Sequence, residues 1–365
     1  MAALAGLATS GHVLYPAWLA LGPAARRKSP AIPADPASWP SVSVVIPAYR
    51  EAGVISEKVR LLNGLGYPGP MEILVVADGD PATAEAAVSA GARALAPADR
   101  LGKPAAMNLG MSQVESDIVV FTDANNRISP GSIEAMVRWF ADPTVGAVAG
   151  EKTEVGAAGE SLYWRFESWL KRREARLGTT LGVVGELMAV RRKAFCPIAE
   201  EVAVDDLWMA MDLVKRGWRI VYEPSASSIE ESAESLGVSW QRRTRIAAGA
   251  IHVLIQRRDQ LVIGKRPEAV QLWGHRLARY TVGPLSHLAL LMWALARIRS
   301  SRSAAAFVGG HLVAASCLAA DEAGWAVPGA LRAASHVLYL QAVAVGGMIR
   351  YLKKDRYTKW QTVRR

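Results

Sequence analysis

Three stretches decide the fold: VSVVIPAYRE at Val42–Glu51, VVADGD at Val75–Asp80 and VFTDAN at Val120–Asn125. The short β-branched runs Val42–Ile46, Ile73–Ala77 and Ile118–Phe121 are each followed by turn residues and a helical stretch. That order is the pattern of parallel strands joined by crossover helices, which predicts an α/β domain. Ligands in such sheets collect at the carboxyl ends of the strands. Two of those ends are acidic here, Asp78 with Asp80, and Asp123 followed by Asn125. An aspartate at a strand end can bond a base or ribose, and an Asp-x-Asp or Asp-x-Asn pair can hold a divalent cation bridging a diphosphate. Taken singly, each reads equally well as a turn residue that caps a helix or bonds its own backbone.

Outward from these stretches, 365 residues leave room for about two domains at ~150 residues each. The two cysteines, Cys196 and Cys317, form no Cys-x-x-Cys or Cys/His cluster, which excludes disulfide frameworks, zinc modules and iron–sulfur sites. Of the six histidines, His252, His275, His287, His311 and His336 show no mutual ligand spacing. A formal charge of +10 points to nucleic acid, an anionic membrane or a phosphorylated substrate. Nucleic acid fits poorly, because the basic residues cluster beside apolar runs rather than along an aromatic-interleaved groove.

The apolar runs sit at the two ends. Ala2–Gly22 carries no charge, spans about 20 residues as a membrane helix would, and is followed by Arg26, Arg27 and Lys28. Charge after the run, not before it, predicts an uncleaved anchor at 1–25 with the next domain in the cytoplasm. Residues 26–40 hold four prolines and read as a linker; 41–235 form the cytoplasmic domain. Residues 236–275 read as an interfacial, amphipathic basic region. Tyr280–Ala296, Ser303–Ala320 and Ala333–Ile349 are borderline spans within 276–350, and 351–365 is a basic tail. Arg297, Arg299 and Arg302, like the tail, belong inside, which requires an even number of crossings. The run containing Pro284 is then re-entrant or interfacial; three full spans, with the tail outside, remain the alternative.

With RLGKPAAMNLG at Arg100–Gly110 added, the three strand-end motifs resemble the nucleotide-sugar half of family 2 glycosyltransferases. Tyr163–Glu174, GELMAVRR at Gly185–Arg192, Val204–Pro224 and WQRRTRIAAG at Trp240–Gly249 look like the acceptor half of its membrane-embedded branch, which includes cellulose, hyaluronan and exopolysaccharide synthases. The resemblance implies a GT-A fold with a mostly parallel central sheet flanked by helices, and inverting transfer from a nucleotide sugar.

Carried over by position, the resemblance places Pro47 and Glu51 by the uracil pocket, Asp78 with Asp80 at the base, and Lys103 near base and diphosphate. Asp123 and Asn125 fall on the Asp-x-Asp site and would hold Mg²⁺ or Mn²⁺, the neutral amide of Asn125 contributing less charge than the usual aspartate. Asp206, after Asp205, falls on the general base; the same pair also suits a helix N-terminus. Arg243 and Arg245 sit where a diphosphate clamp is expected, and the same stretch reads as a basic face for lipid headgroups. Gln241, Trp240 and Glu186 fall on the acceptor side. Thr244 and Arg245 break the Gln-x-x-Arg-Trp motif of processive members. Glu167 and Glu174 lie seven apart beside Trp164 and read as packing and surface ion pairs.

The expected activity is sugar transfer from a nucleotide sugar, UDP first, to a lipid-linked or growing exopolysaccharide acceptor at the cytoplasmic membrane face. So few crossings make a thin wall for a channel, so an extruding enzyme would need a homo-oligomer or other synthesis subunits. The alternative is a catalytically silent scaffold of a polysaccharide-export complex, resting on Asn125 and the broken motif.

Overall fold

A computed structural model describes residues 1–156, 158–232, 235–262 and 268–354. Two compact units emerge among the described residues, a helical one (1–23, 158–163, 235–262 and 268–354) and an α/β one (24–156 and 164–232). Most of the basic tail (355–365) and the basic turn at 263–267 lie outside the described residues.

The chain starts with α1 (Ala2–Thr9), a π-helical turn at Ser10–Leu14, α2 (Tyr15–Leu21) and α3 (Pro23–Arg26). Residues 27–41 carry no helix or strand. The α/β unit then runs β1 (Val42–Ala48), α4 (Ala52–Asn63), β2 (Met71–Ala77), α5 (Pro81–Ser89), β3 (Arg93–Leu95), α6 (Lys103–Ser112) and β4 (Ile118–Thr122). It continues through β5 (Arg127–Ile128), α7 (Ser132–Arg138), β6 (Val145–Gly156), α8 (Ala158–Ala175), β7 (Leu187–Arg191), α9 (Asp205–Lys215) and β8 (Arg219–Ser232).

The eight strands form one sheet in the order β3-β2-β1-β4-β7-β6-β8-β5. β1 and β4 are buried at every position and β2 over its last five, so helices cover both faces and the apolar runs are continuous, not alternating. Val44, Ile46, Val75 and Val120 meet Ile55 and Val59 of α4 and Ile133 and Met136 of α7 in the core. From β3 to β4 every pairing is parallel. Beyond β4 the expectation of a mostly parallel sheet is corrected. β7 runs antiparallel to both β4 and β6, and β5 antiparallel to β8, so the whole sheet is mixed. β7 follows α8 and the loop after it and returns antiparallel to β6, a pairing that needs no crossover connection of fixed hand.

The α8 face, read as packing and surface ion pairs, does pack, but its charged residues are not at the surface. Glu167, Lys171 and Glu174 are buried, Glu174 Oε2 accepting from Thr180 Oγ1 at 3.0 Å and Lys171 lying 4.8 Å from the centre of the Tyr222 ring.

The helical unit is completed by α10 (Leu236–Gln256), α11 (Ala269–Gln271), a π-helical stretch Leu272–Val282, α12 (Gly283–Ala296), α13 (Arg302–Glu322) and α14 (Gly329–Leu352). Each π-helical stretch runs directly into a helix with proline in its first turn, Pro16 in α2 and Pro284 in α12. Proline lacks the N–H that would close the ordinary turn and its ring crowds the carbonyl four residues back, so a wider turn there relieves both problems. Among the described residues α13 is the one helix long and apolar enough to cross a membrane. Leu285, Met292 and Trp293 of α12 and Leu312 and Val313 of α13 are exposed.

Candidate donor site

Pairing β1 in parallel with both β2 and β4 sets three carboxyl ends side by side. β7 lies antiparallel to β4 with Leu187 opposite Thr122, so Glu186, which precedes it, enters at the end where Asp123 leaves. The first turns of α6 and α9 bring Lys103 and the Asp205–Asp206 pair to the same place. Lys103 Nζ donates to Asp123 Oδ1 at 2.8 Å and lies 3.7 Å from Asp205 Oδ2. Burial works against the Lys103 charge, yet Asp123, Asp205 and Asp206 hold its pKa above the ordinary lysine value. Asp205 is pushed up to about 6, by burial first, with Lys103 opposing and Asp206 and Asp123 adding to the rise. Asp206 Oδ1 accepts from its neighbour Leu207 N at 2.7 Å, and both carboxylates sit where the helix dipole favours them. Gly185 is pressed against this pair: a Cβ there would lie 3.2 Å from Asp205 Oδ1.

Asp78, pointed by its motif at the base, is wholly buried, and its two oxygens accept from Leu101 N at 2.6 Å and Gly102 N at 2.9 Å. It thereby fixes the loop that leads into α6, in which Gly102 takes a φ of +97° that disfavours a side chain. Asp80 Oδ2 accepts from Arg50 N at 2.9 Å and from the Thr83 hydroxyl. Glu51 accepts from Tyr49 N at 3.3 Å, and Pro47 is buried within β1 opposite Val76. Sequence reasoning missed Tyr49, whose ring lies 3.8 Å beneath the Arg100 guanidinium. Arg100 Nε and Nη2 are buried without a hydrogen-bond partner. The signal was present, an aromatic at the end of β1 and an arginine in the Gly-Lys motif, but nothing in their spacing joins them.

Behind the Asp-x-Asn turn stands a second residue missed by the motif, Asn126. Its Oδ1 accepts from the buried Lys58 and from Thr122 Oγ1 at 3.0 Å, while Nδ2 donates to Glu186 O at 2.8 Å and Ser228 Oγ at 2.6 Å. Burial lowers the Lys58 pKa to about 7, against the pull of Asp123 and Glu186. Lys152 is the centre of the adjoining cluster, bonding Glu154 Oε1 at 2.9 Å, Glu230 Oε2 at 2.6 Å and Glu186. Glu186 is pushed up to about 7, by burial first, with Lys152 opposing and Glu230 and Asp123 adding.

Asp123 and Asn125 suit a hard divalent cation. One Asp123 oxygen is held by Lys103, and the exposed Asn125 directs its amide nitrogen to Glu230 Oε1 at 2.9 Å, which leaves its carbonyl oxygen. No group of three or more His, Cys, Asp or Glu is arranged to hold a metal among the described residues, so a cation here needs oxygens from its ligand as well.

The other predicted residues, all on α10, belong to the helical unit. Arg243 is buried with its guanidinium 4.5 Å from the centre of the Tyr163 ring, and Trp240 packs on Tyr339 at 6.1 Å between ring centres. Gln241 is exposed and Arg245 half-buried. Gln241 O and Thr244 Oγ1 take Arg350 Nη1 at 3.0 and 2.8 Å. In the same unit His287 and His311 meet, Nε2 to Nε2, at 2.9 Å, a pairing their sequence spacing does not announce.

Residues 43–196 match the family model Glycosyl transferase family 2. The β-monoglucosyldiacylglycerol synthase of Synechocystis is 24% identical over 229 residues, 58% of this chain and 48% of that protein. The poly-β-1,6-N-acetyl-D-glucosamine synthase of Staphylococcus aureus is 27% identical over 165 residues, 42% of this chain and 40% of that protein. The chain thus spans about half the length of the curated relatives it matches. Among solved structures, a Pyrobaculum calidifontis mannosyltransferase in complex with GDP-Man and Mn²⁺ superposes with a TM-score of 0.75 at 24% identity, over 97% of this chain and 98% of that one. That likeness shows a shared fold over nearly the whole chain.

Proposed function

We propose, from the premise that residues 43–196 are a family 2 glycosyltransferase domain, that this chain transfers a sugar from a nucleoside-diphosphate sugar, with inversion, to a lipid-linked or growing exopolysaccharide acceptor at the cytoplasmic face of a membrane. The observation that carries the reading is the gathering of Asp123, Asp205 and Asp206 about Lys103 at the carboxyl ends of parallel strands. A silent scaffold would have no need of a half-buried lysine bridging two carboxylates.

In the reaction the acceptor hydroxyl oxygen attacks the anomeric carbon while the bond from that carbon to the diphosphate breaks, the diphosphate leaving with the electron pair. Asp206, the less buried of the pair, takes the hydroxyl proton. Lys103 stands between Asp123 and Asp205 and offsets charge at the leaving group. Three carboxylates against one ammonium make the site net negative, which opposes a diphosphate unless a cation accompanies it. Asp123 and Asn125 are the residues that would hold Mg²⁺ or Mn²⁺, which would neutralise the departing diphosphate.

The acceptor assignment is supported by the exposed apolar side chains of α12 and α13, which suit lipid contact. The Synechocystis relative bears the name of a lipid glycosylating enzyme, which points the same way. Membrane insertion follows as part of this reading, with α13 as a crossing helix and the α/β unit in the cytoplasm. The deciding experiment measures nucleoside-diphosphate release by detergent-purified protein across UDP- and GDP-sugars, with Mg²⁺, Mn²⁺ or chelator and membrane lipid extract, beside Asp206→Asn. Release that depends on one sugar and is lost in the variant supports the reading; no release with any donor favours the scaffold.

A further inference from the structure

Asn125 departs from the aspartate that usually closes the Asp-x-Asp pair, and the structure supplies a reason. Its Nδ2 donates to Glu230 Oε1 at 2.9 Å, across 105 residues of sequence. Strand register sets up the contact. β5 pairs antiparallel with β8, Ile128 opposite Ser228 and Arg127 opposite Ile229, which brings the turn just ahead of β5, with Asn125 in it, alongside the Glu230 stretch of β8. Glu230 is itself held, its Oε2 bonded to Lys152 Nζ at 2.6 Å, and Lys152 is fixed in turn by Glu154 and Glu186. The carboxylate therefore cannot swing aside.

A carboxylate accepts hydrogen bonds and donates none, so the Asn125 amide must present its NH₂ to Glu230. The carbonyl oxygen is then the atom left to accept a cation. An aspartate at 125 would instead bring a second carboxylate oxygen to Glu230 at the same separation, in a cluster that already holds three glutamates on one lysine.

We propose that Glu230 is the positioning residue of the cation site. It orients Asn125 so that Oδ1, with Asp123, meets a divalent cation, and it excludes the aspartate otherwise favoured at 125. This rests on the metal-assisted donor binding proposed above. Partners of this kind, one step behind a ligand, change metal affinity by about 10- to 100-fold when removed.

The test is Mn²⁺ binding to the full chain in detergent with UDP or GDP present, read by electron paramagnetic resonance and independent of turnover. Glu230→Ala is expected to weaken Mn²⁺ by about 10-fold or more. Asn125→Asp, at an exposed position that tolerates the change in shape, is expected to gain nothing, despite its added charge. Asn125→Asp with Glu230→Gln is expected to bind at least about 10-fold more tightly than Asn125→Asp alone, a reciprocity that a purely structural role for Glu230 would not produce. Mn²⁺ affinity unchanged in Glu230→Ala, or Asn125→Asp alone tightening binding as far as the double variant does, overturns the proposal. Should Glu230→Ala fail to fold, the Asn125→Asp comparison still decides. No Mn²⁺ binding by the unaltered protein, with donor-dependent release intact in chelator, overturns the metal reading and this inference but leaves the transferase reading standing.

Discussion

Lys103 Nζ lies 2.8 Å from Asp123 Oδ1, joining the first turn of α6 to the end of β4. It is the cation that lets Asp123, Asp205 and Asp206 share one end of the sheet. Lys103→Met is therefore expected to lower kcat/KM for nucleoside-diphosphate release by about 100-fold or more, the size of effect seen when one charge-stabilising donor is removed. It should also push the Asp205 carboxyl further above its value of about 6, since Lys103 is the partner that holds it down. Lys103→Arg, which keeps the charge, should recover part of the loss. Full activity in the methionine variant would show that Lys103 serves packing alone.

Asp206→Asn removes the proposed proton acceptor while keeping its shape and its place in the first turn of α9. The expected outcome is a fall in kcat of about 10²- to 10⁴-fold with donor KM little changed, measured by steady-state release with the donor that the release assay selects. A rise in KM at constant kcat would move Asp206 from proton transfer to donor binding.

Asn126→Ala tests the support behind the Asp-x-Asn turn. Four hydrogen bonds end on this buried amide, and the Lys58 ammonium would lose a principal acceptor. Leaving such groups unsatisfied should cost about 2–4 kcal/mol of stability, read from the denaturant midpoint. Asn126→Asp, which keeps the acceptor for Lys58 but loses the donors to Glu186 and Ser228, should fall between the two.

The parts of this site differ in how well the sequence announces them. β1, β2 and β4 were legible because burial on both faces demands unbroken apolar runs, and Asp123, Lys103 and Asp206 because they stand in motifs of fixed spacing. Glu230, Lys58 and Asn126 were not legible, because what defines them is contact between elements far apart in the chain. Lys58 meets Asn126 across 68 residues and Asn125 meets Glu230 across 105, and no local pattern encodes either distance. The reversal of β7 was hidden for the same reason, since its five residues read alike in either direction. Asp78 shows the converse: its motif was plain, but the backbone N–H groups that occupy it lie in the next loop.

Glu186 and Lys58 set opposing slopes in stability against pH. Burial, the largest cause, raises the Glu186 carboxyl from 4.5 to about 7. Its proton is held in the fold and released on unfolding, so its contribution is complete below pH 4.5 and is lost as pH rises to about 7. Asp205, raised from 3.8 to about 6, acts in the same direction over a lower window. Burial lowers Lys58 from 10.5 to about 7, so its contribution is complete above 10.5 and lost as pH falls towards 7. Stability is therefore expected to decline from pH 4.5 to 7 and to recover from 7 towards 10.5 as far as these groups govern it. Glu186→Gln should flatten the upper part of the acid branch, between about 6 and 7, where Glu186 alone of the two carboxyls still titrates, and leave the alkaline branch intact. Denaturant midpoints taken every half pH unit, roughly the spacing needed to resolve single-proton linkage, supply the comparison. An acid branch as steep in the variant as in the parent would place the titrating group elsewhere than Glu186.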